Sequence, residues 1–253
     1  MHSYFITLLI ICPLVLCAGF VDAAAGGGGL ISLPAYIFAG VPIHTAYGTN
    51  KFANCIGTSV ASIKFFKSGK LEIKTALLAS GGALIGSALG AKLTLLLSEI
   101  YLQYCLIIIL PIVSIFLIFN RNFGEDVQNE IDFKKLYPIV LLVGVAIGIY
   151  DGFFGPGTGT FLVLAFTSIC KFNIIISSGN AKMVNLASNL SALIVFLLNG
   201  KVAIMIGIPA AIASIIGNYI GAHFAIKKGV KFIKPIILIV IIMLFSKIVI
   251  SLF

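Results

Sequence analysis

A doubled carboxylate-and-glycine motif, set in otherwise apolar sequence, constrains this chain more than any other feature. It occurs as G-F-V-D-A-A-A-G-G-G-G at Gly19–Gly29 and again as G-I-Y-D-G-F-F-G-P-G-T-G at Gly148–Gly159. Asp22 and Asp151 lie 129 residues apart, as do Gly26 and Gly155, and Gly28 and Gly157. Both acids adjoin long apolar runs, where an ionised carboxylate costs several kcal/mol unless water or a partner reaches it. Glycines that break a helix follow each acid within four residues. A repeated acid beside a repeated break marks a binding site.

The surroundings set the solvent. The 253 residues are 60% hydrophobic and 10% charged, with mean hydropathy +1.17, whereas soluble domains carry about 25% charged residues. The expected class is an all-α polytopic membrane protein. At roughly 20 residues per crossing, the length allows about eight transmembrane helices and no separate soluble domain. Residues 3–22 have a cleavage-like Ala23-Ala24-Ala25 behind them. No Lys or Arg precedes that run, however, and its counterpart at 137–151 cannot be a signal, so it is expected to stay in the mature protein.

The second half repeats the first. Beyond Gly48 the offset is 131: Gly48 matches Gly179, Lys51 matches Lys182, Asn54 matches Asn185, and Gly69-Lys70 matches Gly200-Lys201. Gly86 and Gly90 match Gly217 and Gly221. The expected organisation is a first repeat at 1–120, a cytoplasmic linker at 121–136 and a second repeat at 137–253. Helices are expected at about 74–97, where Gly82, Gly86 and Gly90 bare one face for close packing, and at 101–119. The runs 30–40 and 158–171 are short for a crossing at 1.5 Å per residue, which favours broken or re-entrant glycine-rich hairpins over full spans.

The net charge of +9 does not call for nucleic acid, because the cations fall mostly between apolar runs. Lys64, Lys67, Lys70 and Lys74 crowd the first turn of repeat one, and Lys227, Lys228, Lys231 and Lys234 the later turn of repeat two. Cytoplasmic loops collect such residues, so equivalent loops lie on opposite sides, as in an inverted-topology repeat. With Arg121, Lys134 and Lys135 also inside, both termini are expected outside.

Six of the eight acids sit in loops; Asp22 and Asp151 do not. Structural ion pairs or snorkelling lysines would be one account of them. Recurrence in both halves favours a central site where the hairpins meet. Free N–H groups at a helix start suit an anion, and Gly26, Gly27, Gly28 and Gly29, with Gly155, Gly157 and Thr158, each open a short helix. Thr49, Asn50, Lys51 and Asn54, with Asn180, Lys182 and Asn185, add hydroxyl, amide and ammonium donors. An Asp there repels an anion unless protonated, which makes Asp22 and Asp151 candidates for proton coupling.

Other chemistries lack their residues. No GK[ST] closes the glycine run and G-P-G-T-G lacks a strand-turn-helix setting. His2, His44 and His223 are scattered, so neither metal nor other cofactor is expected. Cys12, Cys17, Cys55, Cys105 and Cys170 show no ligand or redox spacing and read as small apolar fillers.

The stretches G-F-V-D-A-A-A-G-G-G-G-L-I-S-L-P, A-Y-G-T-N-K-F, G-I-Y-D-G-F-F-G-P-G-T-G-T-F and G-N-A-K-M-V-N-L-A-S-N-L together resemble the TauE/SafE sulfite-exporter family, its YfcA-like branch above all. The resemblance covers essentially the whole chain. It implies an inner-membrane permease of two four-helix halves that moves sulfite, thiosulfate or sulfonated organic anions. Gly-Thr-Asn-Lys in the first half but Gly-Asn-Ala-Lys in the second makes the half-sites chemically unequal. The expected function is alternating-access transport of a small anion through the bilayer. A passive anion channel and a membrane-embedded enzyme or thiol carrier are the alternatives.

Overall fold

Glycines, prolines and short polar turns cut the apolar sequence into helices. In the computed structural model, which describes residues 2–102, 104, 105, 108, 133–229 and 232, eight helices are assigned. They are α1 His2–Ala25, α2 Gly29–Phe38, α3 Ile43–Lys67, α4 Ile73–Leu96, α5 Phe133–Phe153, α6 Thr158–Ser168, α7 Ile174–Leu198 and α8 Ile204–Lys228. Most of the expected 101–119 helix, the linker up to 132, and all but one of the residues from 230 onward lie outside the described residues. Helix α5 begins at Phe133, inside the stretch assigned to the linker. The described chain is helical without strands, and α1, α4, α5, α7 and α8 are long and apolar enough to cross a membrane. Helix α3 is as long as α7 but carries Asn50, Lys51, Asn54, Lys64 and Lys67.

The halves pack on each other through bare backbone. A Cβ on Gly82, Gly86 or Gly90 of α4 would run into the carbonyls of Leu141, Val145 or Ile149 on α5. Gly144 and Gly152 in return face the carbonyls of Ala79 and Ser87, and Gly148 lies against Ala83. The equivalent seam joins α8 to α1, with Gly217 on Leu16 and Gly221 on Phe20. Without side chains between them the backbones approach closely, which is how helices gain dispersion contacts where water cannot drive association. Residue numbers rise together along both seams, so α4 runs parallel to α5 and α1 to α8. Helices α3 and α7 are opposed: Ser62 bonds the Lys182 carbonyl, while Gly48 lies against Phe196.

The turns interlock in the same crossed way. Gly48 on α3 receives the Lys201 carbonyl, and Gly179 on α7 receives the Lys70 carbonyl. Beside these contacts Thr49 Oγ1 accepts from the Ala203 N–H and Asn180 Oδ1 from the Glu72 N–H, each at 2.9 Å. Both lysine-rich ends that are described come to one end of the bundle, where the Lys64 ammonium lies 3.5 Å from the centre of the Tyr219 ring.

Candidate functional site

The helix breaks are made by backbone that L-residues avoid. Gly26 sits at φ +83°, Gly155 at +87° and Gly157 at +85°, the left-handed region that costs a side-chain-bearing residue roughly 1–2 kcal/mol. Past the first break the chain doubles back: Gly28 lies so close to α1 that a Cβ would stand 2.5 Å from the Asp22 Cβ. The returning α2, at 10 residues, reaches about 15 Å, half of a hydrocarbon core. Past the second break, Tyr150 donates to the Pro156 carbonyl at 2.5 Å and stacks edge-on to Phe161, closing the hairpin of α5 and α6. Neither α2 nor α6 has a side-chain cap on its first turn.

The two hairpins touch at their tips. Gly26 and Gly159 are in backbone contact, with room for no Cβ on either, and Thr160 Oγ1 donates to the Ala25 carbonyl at 2.9 Å. The lysines then cross between halves. Lys51 of the first half donates to Asp151 Oδ2 of the second at 2.7 Å, and Lys182 of the second to Asp22 Oδ2 of the first at 2.8 Å. The side chains of Lys51 and Asp151 are each 3% exposed; Lys182 is 1% and Asp22 13% exposed. An ion pair satisfies both charges where neither could stand alone.

Asp22, Gly26, Gly29, Asn50, Lys51, Asn54, Asp151, Gly155, Asn185 and Asn189 line one cavity of about 20 Å³, above the roughly 10–15 Å³ that a water needs. Its amides are paired along their helices, Asn54 Nδ2 to Asn50 Oδ1 at 3.2 Å and Asn189 Nδ2 to Asn185 Oδ1 at 2.5 Å. A Cβ on Gly155 would meet no atom nearer than 3.5 Å, so this glycine leaves space next to Lys51.

Most of the residues singled out from sequence therefore converge, and some serve elsewhere. Thr49 and Asn180 hold the turns before α8 and α4. Thr158 donates to the Gly155 carbonyl at 2.7 Å and closes its own turn. Gly28 packs on α1, Gly157 begins α6, and Gly27 accepts from the Leu30 N–H. Sequence reasoning missed Ser188 and Asn189. Ser188 donates to Asp151 Oδ2 at 2.5 Å, and Asn189 lines the cavity. At the offset of 131 their counterparts are Gly57 and Thr58, so a search for recurring residues passes over both. The spacing Asn185-x-x-x-Asn189, one helical turn, was the available signal.

A sequence profile of the family described as "Sulfite exporter TauE/SafE" matches residues 11–248. Among curated proteins, "Probable membrane transporter protein YfcA" of Escherichia coli (strain K12) is 34% identical over 225 residues, covering 88% of this chain and 82% of that one. A "Probable membrane transporter protein" of Haemophilus influenzae is 33% identical over 232 residues, 92% of this chain and 90% of its own. "Probable membrane transporter protein YdhB" of Bacillus subtilis is 27% identical over 238 residues, 91% and 96% of the two chains. No solved structure matches. Relatives named as probable membrane transporters, together with long apolar helices joined by bare-glycine seams, make this a multi-pass membrane protein. With its profile match running nearly end to end, the chain belongs to the TauE/SafE sulfite exporter family.

Proposed function

We propose that this protein carries a small sulfur-containing anion, sulfite or a sulfonated organic anion, across the inner membrane by alternating access around the cavity between the two hairpins. The observation that carries the reading is the pair of crossed Lys–Asp bridges at one small, amide-lined cavity, where Asp22, Lys51 and Asp151 form part of the wall and Lys182 stands behind Asp22. In this arrangement each lysine has its negative charge supplied by the protein. A substrate anion takes that place when the carboxylate takes a proton. Proton and anion binding then favour one another, as any linked pair must, and the two travel in the same direction. At about 20 Å³ the cavity has room for little more than a water, and the bridges part to admit a polyatomic oxyanion. Amides and bare glycine backbone then supply its hydrogen bonds.

Oppositely inserted halves are supported by helix direction: α1 and α3 run with α8, whereas α4, α5 and α7 run the other way. The two tips thus enter from opposite faces and meet, and the lysine-rich ends mark the cytoplasmic side, with the N-terminus outside. The sulfur-anion cargo is supported by the family description. Uptake and counterflow of labelled sulfite, taurine and sulfoacetate in proteoliposomes test the reading, with saturable, pH-dependent flux of at least one expected. Absence of flux for all three sinks the substrate claim, and flux indifferent to pH in the intact protein sinks the coupling.

A further inference from the structure

The two Lys–Asp bridges match in place and differ in attachment. Asp151 Oδ2 accepts from Lys51 at 2.7 Å and also from Ser188 at 2.5 Å. Asp22 Oδ2 accepts from Lys182 alone among the described residues. The position matching Ser188 is Gly57, whose missing side chain is replaced by Ser214 and Asn218; a Cβ there would stand 2.7 Å from Asn218 Nδ2. Parting Lys51 from Asp151 still leaves the carboxylate tied to Ser188, and freeing Asp151 breaks two charge-assisted hydrogen bonds. Freeing Asp22 breaks one. Asp22 is also the more exposed carboxylate, 13% against 3%, so water reaches it first. Lys182 beside it, with Lys51 and Asp151 across the cavity, are the other ionisable groups that face it there.

Given the transport reading above, we infer that Asp22 is the carboxylate that takes up and releases the coupling proton. Ser188 is the positioning residue that holds Asp151 closed on Lys51. A proton from the bathing solution, entering as hydronium through the cavity, passes to the Asp22 carboxylate, which becomes a neutral acid and lets go of the Lys182 ammonium. Lys182 stays charged and the incoming anion balances it. On release the anion leaves, the proton returns to water, and the bridge re-forms. The first half thus works the proton and the second-half lysine receives the cargo, while Lys51–Asp151 serves as the fixed side of the site.

Infrared difference spectra of the purified full-length protein across a pH titration test this without any substrate. The loop acids are common to all variants and cancel between them. Relative to an Asp22→Asn/Asp151→Asn double variant, in which only the loop acids titrate, the wild type should develop one further protonated-carboxyl band as pH falls. Asp22→Asn should lose it, Asp151→Asn should keep it, and Ser188→Ala should add a second. Loss of the band in Asp151→Asn with retention in Asp22→Asn overturns the assignment. So does a wild type without the band, or a Ser188→Ala spectrum identical to wild type. Should Asp22→Asn fail to fold, the other two variants decide. In proteoliposomes Asp22→Asn should flatten the dependence of sulfite flux on pH. A titrating Asp22 band in protein that moves no sulfite would sink the cargo and leave the proton assignment standing. Sulfite flux with an Asp151 band would do the reverse.

Discussion

The Lys51–Asp151 and Lys182–Asp22 bridges descend from the same two positions of a repeat, yet one is sealed and doubly held while the other is singly held and partly wet. Their framework is shared: a left-handed glycine after each acid, a lysine one-third along the following long helix, and a crossed partner in the other half. What separates them sits at unmatched positions, Ser188 against Gly57 and Asn189 against Thr58. Matched positions place two like bridges at one cavity, and unmatched neighbours make their surroundings unequal.

The largest expected effect tests the sealed side. Lys51→Met leaves Asp151 buried without its counter-ion and should cost about 3–5 kcal/mol. Lys182→Met leaves the more exposed Asp22 at the cavity wall and should cost less, about 1–3 kcal/mol. Thermal unfolding in detergent reads both, and equal losses would erase the distinction between the bridges.

Next come the matching glycines of the two breaks. Gly26→Ala drives a methyl into the Gly159 backbone and should add an overpacking cost of about 1–3 kcal/mol to the left-handed strain of about 1–2 kcal/mol. Gly155→Ala should pay the strain alone, because its Cβ direction is open. A Gly155→Ala loss as large as that of Gly26→Ala would mean the open space is filled.

A smaller pair sharpens the division between holding and binding. Thr49→Ala and Asn180→Ala each remove an acceptor from a turn N–H and should lower stability by about 1 kcal/mol while leaving the KM for anion in place. A shift in KM alone would return either residue to the binding site. The smallest effect belongs to the five cysteines. Their joint replacement by Ala should leave flux intact, and lost flux in folded protein would favour thiol chemistry.

The helical membrane class, the duplicated pattern and the convergence of Asp22, Lys51, Asp151 and Lys182 were legible because each rests on strong local chemistry: apolar length, helix-breaking glycine, and charge where charge is costly. Three things were not. Thr49 and Asn180 looked like free ligand groups because sequence does not show that the oxygen of each already accepts from a turn of the other half. Ser188 stayed hidden because recurrence was the filter, and asymmetry is what recurrence discards. Crossed pairing, Lys51 to the distant Asp151, depends on how the halves face one another, a tertiary fact with no spacing rule behind it.

The glycine seams carry one more consequence. Each joins a helix of the first half to one of the second, α4 with α5 and α8 with α1. Severed and produced alone, the first half would present α1 and α4 with naked grooves towards lipid, and an acid and an ammonium robbed of their opposites. Neither portion is a module in its own right. With both seams crossing between them, the two stretches are expected to fold together or not at all.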